Sequence, residues 1–122
     1  MRFLVLATLS GLALMGCASV QQAPNTQETI RYASSPCFGA CPIYSVEVTP
    51  TGLIRFEGKQ YTKAIGVKEI QGSVKDYKKL ADDLKTYRPE TGTQSKSAGC
   101  QQTATDMSSY YITWIQPNGT ET

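Results

Sequence analysis

The sequence predicts an α+β domain: a small antiparallel sheet, a meander of three to five strands, with one amphipathic helix packed on a face. Three observations carry this. Apolar and polar residues alternate from Ile43 to Thr49, the period-two pattern of a half-buried strand. Pro50-Thr51-Gly52 then supplies turn chemistry before a second strand-like run that opens at Leu53. From Val74 to Tyr87, apolar residues recur at helical spacing.

Taken in order, organised sequence begins near Thr29, with a strand around Ile30 and Tyr32 that ends at Ser34-Ser35-Pro36. A compact loop follows, Cys37-Phe38-Gly39-Ala40-Cys41, bracketed by Pro36 and Pro42. In the next strand Tyr44, Val46 and Val48 share one face, while Ser45, Glu47 and Thr49 share the other. The partner strand is expected over Leu53–Glu57, broken at Gly58, with a third strand of the meander over Gln60–Val67. Ser73 is a good helix N-cap, with Asp76 three residues on, near the positive end of the helix dipole. Val74, Tyr77, Leu80, Ala81, Leu84 and Tyr87 form the expected apolar stripe. Lys75, Lys78, Lys79, Asp82, Asp83 and Lys85 fall opposite, as a solvated surface. Pro89 ends the helix, because the residue before a proline disfavours helical geometry. Glu90–Asp106, with Gly92, Gly99 and Cys100, reads as a long polar loop, and Ser109–Gln116 as a final strand. Pro117-Asn118-Gly119 is a strong hairpin signal, yet only three residues follow it. The expectation is therefore a tail that frays or, preferentially, a chain that lacks its last strand.

The N-terminus has the layout of a secretory leader: Arg2, an apolar run from Phe3 to Met15, then small residues. The run is shorter than the roughly 20 residues that span a bilayer. Leu14-Met15-Gly16-Cys17 resembles the lipobox of bacterial lipoproteins, with Met15 a mild departure. That resemblance implies cleavage after Gly16 and a diacylglycerol on Cys17, with a further acyl chain such as palmitate on the new amino group. Two or more chains anchor a protein stably, whereas one does so marginally. Ala18 stands where an aspartate would mark inner-membrane retention, so the implied location is the outer membrane, facing the periplasm. The organisation expected is a signal peptide over 1–16, a lipidated flexible tether over 17–28 and one small domain over 29–122.

Removing Arg2 from the twelve basic residues leaves eleven against ten acidic ones, with no basic stripe. That balance argues against a nucleic-acid partner. Forty per cent hydrophobic content with seven tyrosines fits a globular domain rather than a disordered one. The chain has no histidine, which excludes Ser-His-Asp and Cys-His catalysis and imidazole metal sites together. Asp82-Asp83 has no partner acids at a defined spacing, and no phosphate loop, nucleophile elbow or zinc signature occurs. Tyr110, Tyr111 and Trp114 are candidates for a glycan- or peptide-binding surface, although strand aromatics more commonly pack a sheet.

With Cys17 lipidated, Cys37, Cys41 and Cys100 remain as structural disulfide or thiol candidates. A Cys37–Cys41 bridge closes a very short loop and contributes about 2 kcal/mol on the chain-entropy model. A bridge from either to Cys100 closes about 60 residues and approaches 4 kcal/mol. Spacing leaves the three pairings open. The odd thiol adds to the expectation of a missing segment carrying the partner of Cys100.

Pro36-Cys37-Phe38-Gly39-Ala40-Cys41-Pro42-Ile43-Tyr44, followed by Gly52-Leu53-Ile54-Arg55-Phe56-Glu57-Gly58, resembles an uncharacterised bacterial envelope family, a domain of unknown function found in secreted proteins and lipoproteins. Thr105-Asp106 also matches its pattern, whereas the family's further strand, ending near a Gly-Cys pair, is lacking here. The resemblance implies no established activity.

The functional expectation is a membrane-anchored envelope lipoprotein with a non-enzymatic interaction or structural domain. Its partners would be membrane lipid, through Cys17, and an envelope protein or glycan. In this reading Gly39 and the flanking Pro36 and Pro42 set the geometry of a stapled turn. The competing reading is a periplasmic thiol-redox or Cu(I)-binding protein that uses Cys37-x-x-x-Cys41. The spacing differs from the C-x-x-C of thioredoxin-like enzymes, and no helix follows to depress a thiol pKa. Cys-x-x-x-Cys-Pro resembles the copper motif of periplasmic copper-delivery proteins, whose distant histidine and thioredoxin fold are missing here. No catalytic, cofactor or metal residues are assigned from the sequence.

Overall fold

The structure, a computed structural model, describes residues 27–96 and 106–122. Within them lie β1 (Thr29–Ser34), β2 (Ile43–Val48), β3 (Leu53–Gln60), β4 (Gly66–Gln71), α1 (Val74–Leu84) and β5 (Tyr110–Ile115). All strands join one antiparallel sheet in the order β4-β3-β2-β1-β5. The first four form the expected meander. β5 returns to pair with β1, so the first strand becomes an interior one.

Alternation along each strand makes the two faces unlike. On the apolar face, one row across the sheet reads Trp114, Ile30, Val48, Ile54 and Ile70. The next reads Ile112, Tyr32, Val46, Phe56 and Lys68. α1 covers the Trp114, Ile30 and Val48 end of the first row, whereas Ile70 at the other end is exposed. Tyr77 (2 % exposed), Ile30 and Trp114 (5 % exposed) form the core, and Val48, Leu80, Ala81 and Leu84 pack around it.

The helix begins where its capping chemistry places it. Ser73 Oγ accepts from the Asp76 amide at 3.0 Å and donates to the Asp76 carboxylate at 2.6 Å. Beyond Leu84 the chain tightens into a 3-10 turn over Lys85–Tyr87, and Arg88 is extended ahead of Pro89. This change of pitch explains a departure from the sequence pattern. Tyr87 lies beyond the α-helix and is exposed, as is Val74 in the first turn, so the stripe that packs is Tyr77, Leu80, Ala81 and Leu84.

Docking of α1 is polar as well as apolar. The Tyr77 hydroxyl donates to the backbone carbonyl of Glu28, just ahead of β1. The Glu28 carboxylate, itself buried, accepts from Arg88 Nε at 3.0 Å and from Nη2 at 2.5 Å. Such a bidentate pair satisfies a charge that would be costly to bury alone.

The opposite face is charged. Arg31 lies opposite Glu47, Glu47 opposite Arg55, and Arg55 opposite Glu69. Ion pairs form at 2.8 Å for Arg31–Glu47 and 3.8 Å for Arg55–Glu69, and Arg31 also reaches Glu121 at 3.0 Å. Each directly opposed pair contributes roughly 0.2–1 kcal/mol. Glu57 shares this face, between Ser45 and Val67.

Two strand boundaries differ from expectation. Gly58 does not break β3, which continues to Gln60. It is buried in the ladder between Tyr44 and Gly66, where a Cβ would collide with the Ala64 carbonyl and Thr62 Oγ1. Gly58 thus marks a close backbone approach, since the connection between β3 and β4 folds over it. The next strand consequently starts at Gly66 rather than Gln60. The C-terminal residues are also ordered: Trp114 and Thr122 exchange backbone bonds of 3.0 Å in both directions, and Gln116 N donates to Thr120 O at 2.9 Å. The Asn-Gly turn therefore has a returning partner in residues 120–122, and the fraying tail, the less favoured of the two expectations for this end, is not found. The leader, most of the tether, Gly99, Cys100 and Thr105 lie outside the described residues. Among the described residues no helix is long and apolar enough to cross a membrane.

Replacing Tyr77 by Phe deletes the hydroxyl that serves Glu28 and is expected to lower the unfolding free energy by about 1–2 kcal/mol. The check is the urea midpoint, at unchanged slope. Burial, then the nearby Glu28 charge, hold the Tyr77 pKa above its ordinary 10.0. The folded chain therefore keeps this proton to higher pH than the unfolded chain does. Its contribution is complete below about pH 10 and is lost as pH rises through the folded value. Urea titrations from pH 8 to 11 should show the decline, reduced in Tyr77→Phe.

Candidate functional site

The loop between β1 and β2 holds the chemistry that the sequence singled out. Cys37 and Cys41 form a disulfide with their Cα atoms 5.7 Å apart. Of the three pairings open to the sequence, this is the short one. Gly39 sits at the apex with φ +145°, a backbone conformation that L side chains rarely adopt, and its amide donates to the Cys37 carbonyl at 3.0 Å. Pro36 and Pro42 flank the ring and are exposed. Phe38, inside the ring, is 90 % exposed. The two cysteines are half-buried and take no part in the helix–sheet core.

Two serines fasten the loop to its surroundings. Buried Ser34 donates from Oγ to the Pro42 carbonyl at 2.9 Å and accepts from the Tyr44 amide at 3.1 Å, so it spans the neck of the loop. Ser35 and Ser109 are reciprocally bonded. The Ser35 amide donates to Ser109 O, and the Ser109 amide donates to Ser35 Oγ, both at 2.8 Å. The Phe38 amide reaches the Asp106 carbonyl at 3.2 Å. The disulfide ring is thereby tied to the residues that lead into β5. These serines sat in plain view in the sequence, but their role depends on the β1–β5 pairing, which no local pattern reveals.

Beside the loop, the part of the apolar face that α1 leaves open is aromatic. Tyr32 stacks on Tyr110 with ring centroids 5.9 Å apart and planes 16° apart. Tyr44 lies 5.9 Å from Tyr32 and 5.8 Å from Phe56. Desolvation, then hydrogen bonding with Tyr44 and the neighbouring Tyr44 and Tyr110 hydroxyls, push the Tyr32 pKa above its ordinary value. This cluster replaces the expected one. Trp114 is in the core, and Tyr111 pairs with Ala33 on the charged face, so Tyr110, Tyr111 and Trp114 share no surface. Asp82 and Asp83 lie exposed on α1, with Asp83 paired to Lys79 at 2.6 Å, as a solvated surface should be.

Comparison with known proteins bears on the whole of this domain. A family model described as a domain of unknown function (DUF6438) matches residues 28–122. The chain belongs to that family. No curated protein and no solved structure matches it. The match begins at Glu28, the residue that receives the Tyr77 hydroxyl, and takes in the disulfide loop and all five strands.

Among the described residues, no three histidine, cysteine or acidic side chains are grouped to hold a metal ion. Cys17 and Cys100 lie outside the described residues. What the loop offers chemically is a disulfide on an exposed ring, at the end of the sheet remote from the core. Replacing Cys37 and Cys41 together by Ala is expected to lower the unfolding free energy by about 2 kcal/mol, the loop-closure value for so short a ring. Far-UV circular dichroism should be unchanged, since neither cysteine contributes to the core.

Proposed function

We propose that this domain is a thiol–disulfide exchange module of the bacterial cell envelope, held at a membrane by lipid on Cys17, with the Cys37–Cys41 bridge as the exchanging group. The observation that carries the reading is the position of the bridge. It lies on an exposed ring, outside the core, between two strands that their own ladder already pairs. The chain has no histidine and no helix starts at the loop, so neither sulfur is set up as a strong nucleophile. That arrangement suits a bridge that is attacked rather than one that attacks. A thiolate of a partner dithiol adds to one sulfur, the Cys37–Cys41 bond breaks, and the released sulfur takes a proton. The partner's second thiolate then resolves the mixed disulfide, leaving the partner oxidised and Cys37 and Cys41 as thiols. Two electrons and two protons pass to the domain, and a more oxidising envelope disulfide restores the bridge. The exchange is stoichiometric, and an oxidising compartment beyond the secretory leader is where such a bridge persists. Cu(I) binding has less support, because the closed pair offers no thiolate.

A second reading, a non-enzymatic interaction domain for an envelope protein or glycan, draws on the open face of Tyr32, Tyr44, Phe56 and Tyr110. One experiment separates the two. The folded domain is equilibrated in glutathione redox buffers, and its thiols are counted by alkylation and mass. Exchange predicts reversible opening within the glutathione range, above roughly −300 mV, with the fold retained. A bridge that stays closed until denaturant unfolds the domain would leave the interaction reading. For the anchor, metabolic labelling with a radioactive fatty acid should mark the wild type and not Cys17→Ser; an unlabelled wild type would remove the lipid from the proposal.

A further inference from the structure

Residues 58–68, which close β3 and open β4, contain three lysines and no acidic residue. Elsewhere the charges are mixed. The lysines of α1 are interspersed with Asp76, Asp82 and Asp83, and the arginines of the sheet lie opposite glutamates. Lys59, Lys63 and Lys68 are exposed, and among the described residues none of them joins an ion pair. Apolar side chains stand between them in the open, Tyr61 53 % and Ile65 64 % exposed. The acid at this end of the sheet, Asp106, belongs to the lead-in of β5, on the far side of the disulfide loop.

The β3–β4 connection has a fixed shape. The Ala64 carbonyl sits over Gly58, and Thr62 Oγ1 donates to that carbonyl at 2.6 Å. Tyr61 is held at φ +54°, a conformation that bulky residues seldom adopt. Such strain persists only where the surroundings impose it, and it gathers at binding and catalytic sites. The disulfide loop leaves the same end of the sheet, since Ile43, directly after Pro42, pairs with Gln60. Phe38, 90 % exposed, is therefore displayed at this end too, on a covalently closed ring.

We infer that this end of the sheet is a second membrane contact, beyond lipid on Cys17, for an anionic phospholipid surface. Phe38, Tyr61 and Ile65 enter the interfacial layer, and Lys59, Lys63 and Lys68 meet the phosphates. Tyrosine suits that layer, with an apolar ring and a wet hydroxyl. Lysine lays its stem along apolar surface and keeps its ammonium at the headgroups. Buried apolar area and attraction to anionic lipid then add. The inference rests on the membrane location proposed above and not on the exchange reaction. Lipid on Cys17 would hold the chain at a membrane but leave the domain free to turn; this contact orients it. Residues 17–27 join the domain at the opposite end of β1. They can span roughly 35–40 Å when extended. A six-residue strand covers only about 20 Å. An anchored chain can thus set its far end on the membrane that holds it.

Fluorescence quenching tests the contact. The chain, as purified from cells, is reconstituted into vesicles with brominated acyl chains, of phosphatidylglycerol mixed with phosphatidylcholine or of phosphatidylcholine alone. Trp114, the single tryptophan, is in the core and gives a constant background. Phe38→Trp and Ile65→Trp report on the proposed contact, and Thr51→Trp on the opposite end of the sheet. Both contact reporters should be quenched on the anionic vesicles and not on the neutral ones, and Thr51→Trp on neither. Adding Lys63→Gln to Ile65→Trp should lower the docked-to-undocked ratio about fivefold, the worth of one lysine beside an anionic surface. Lys78→Gln, on α1, should leave it unchanged, and high salt should abolish docking. Equal quenching at Thr51, or indifference to Lys63, overturns the inference. So does an absence of quenching on anionic vesicles, which would leave this end to a soluble acidic protein. If Cys17 carries no fatty acid and the contact reporters are still quenched, the anchor fails and the contact stands. If Cys17 is labelled and they are not quenched, the reverse holds.

Discussion

Attachment of the helix at Glu28 is the constraint from which the rest of the architecture follows. One residue ahead of the first strand provides a carbonyl for Tyr77 and a carboxylate for Arg88, and so brings together β1, α1 and the turn beyond it. Its burial makes the arrangement demanding. A carboxylate in that position without Arg88 would be a charge removed from water with no compensation, and breaking such a pair typically costs about 3–5 kcal/mol. The helix is therefore located by chemistry that admits few alternatives, in addition to the less specific attraction of Leu80, Ala81 and Leu84 for the sheet. A short helix sited in this way covers the row of Ile30, Val48 and Trp114, and the remaining aromatic rows stay open.

A division of labour results. Stability is concentrated at the end of the sheet where β1 begins, and the disulfide lies at the end where β1 finishes. Chemistry at the loop can alter its neighbours without involving the core. A bridge built into the helix–sheet contact would couple every change in its oxidation state to global unfolding. The family to which the chain belongs has no described role, and this separation is the physical reason to look for one at the loop.

Much of this was legible in the residues themselves. The alternation of Tyr44, Val46 and Val48 against Ser45 and Glu47 assigns β2 its two faces correctly, because a half-buried strand imposes period two. Ser73 and Asp76 locate the helix start to the residue. What could not be read locally depends on long-range pairing. No pattern in 110–115 announces that this strand lies beside β1, and hence that Tyr110 stacks on Tyr32 while Tyr111 turns to the other face. Gly58 misleads for a related reason. A glycine in a strand pattern signals either a break or a close approach, and only the fold of 61–65 over it decides between them. Tyr87 continues the helical spacing but falls past a change of pitch that spacing does not disclose.

The charged face has a further consequence, for how the sheet finds its register during folding. Slipping a strand by one residue turns its apolar side chains to water and is rejected on that ground. Slipping by two preserves every face, and alternation is blind to it. Here the charges are not blind. In the native pairing Glu57 stands between Ser45 and Val67. A two-residue slip of β2 along β3 in one direction would set it against Glu47, and the corresponding slip of β4 against Glu69, like charges directly opposed on both sides. Arg55 would at the same time lose its acidic neighbours. Glu57, which joins no ion pair of the ladder, thus acts as a register guard, and its contribution lies in the misaligned sheets it disfavours.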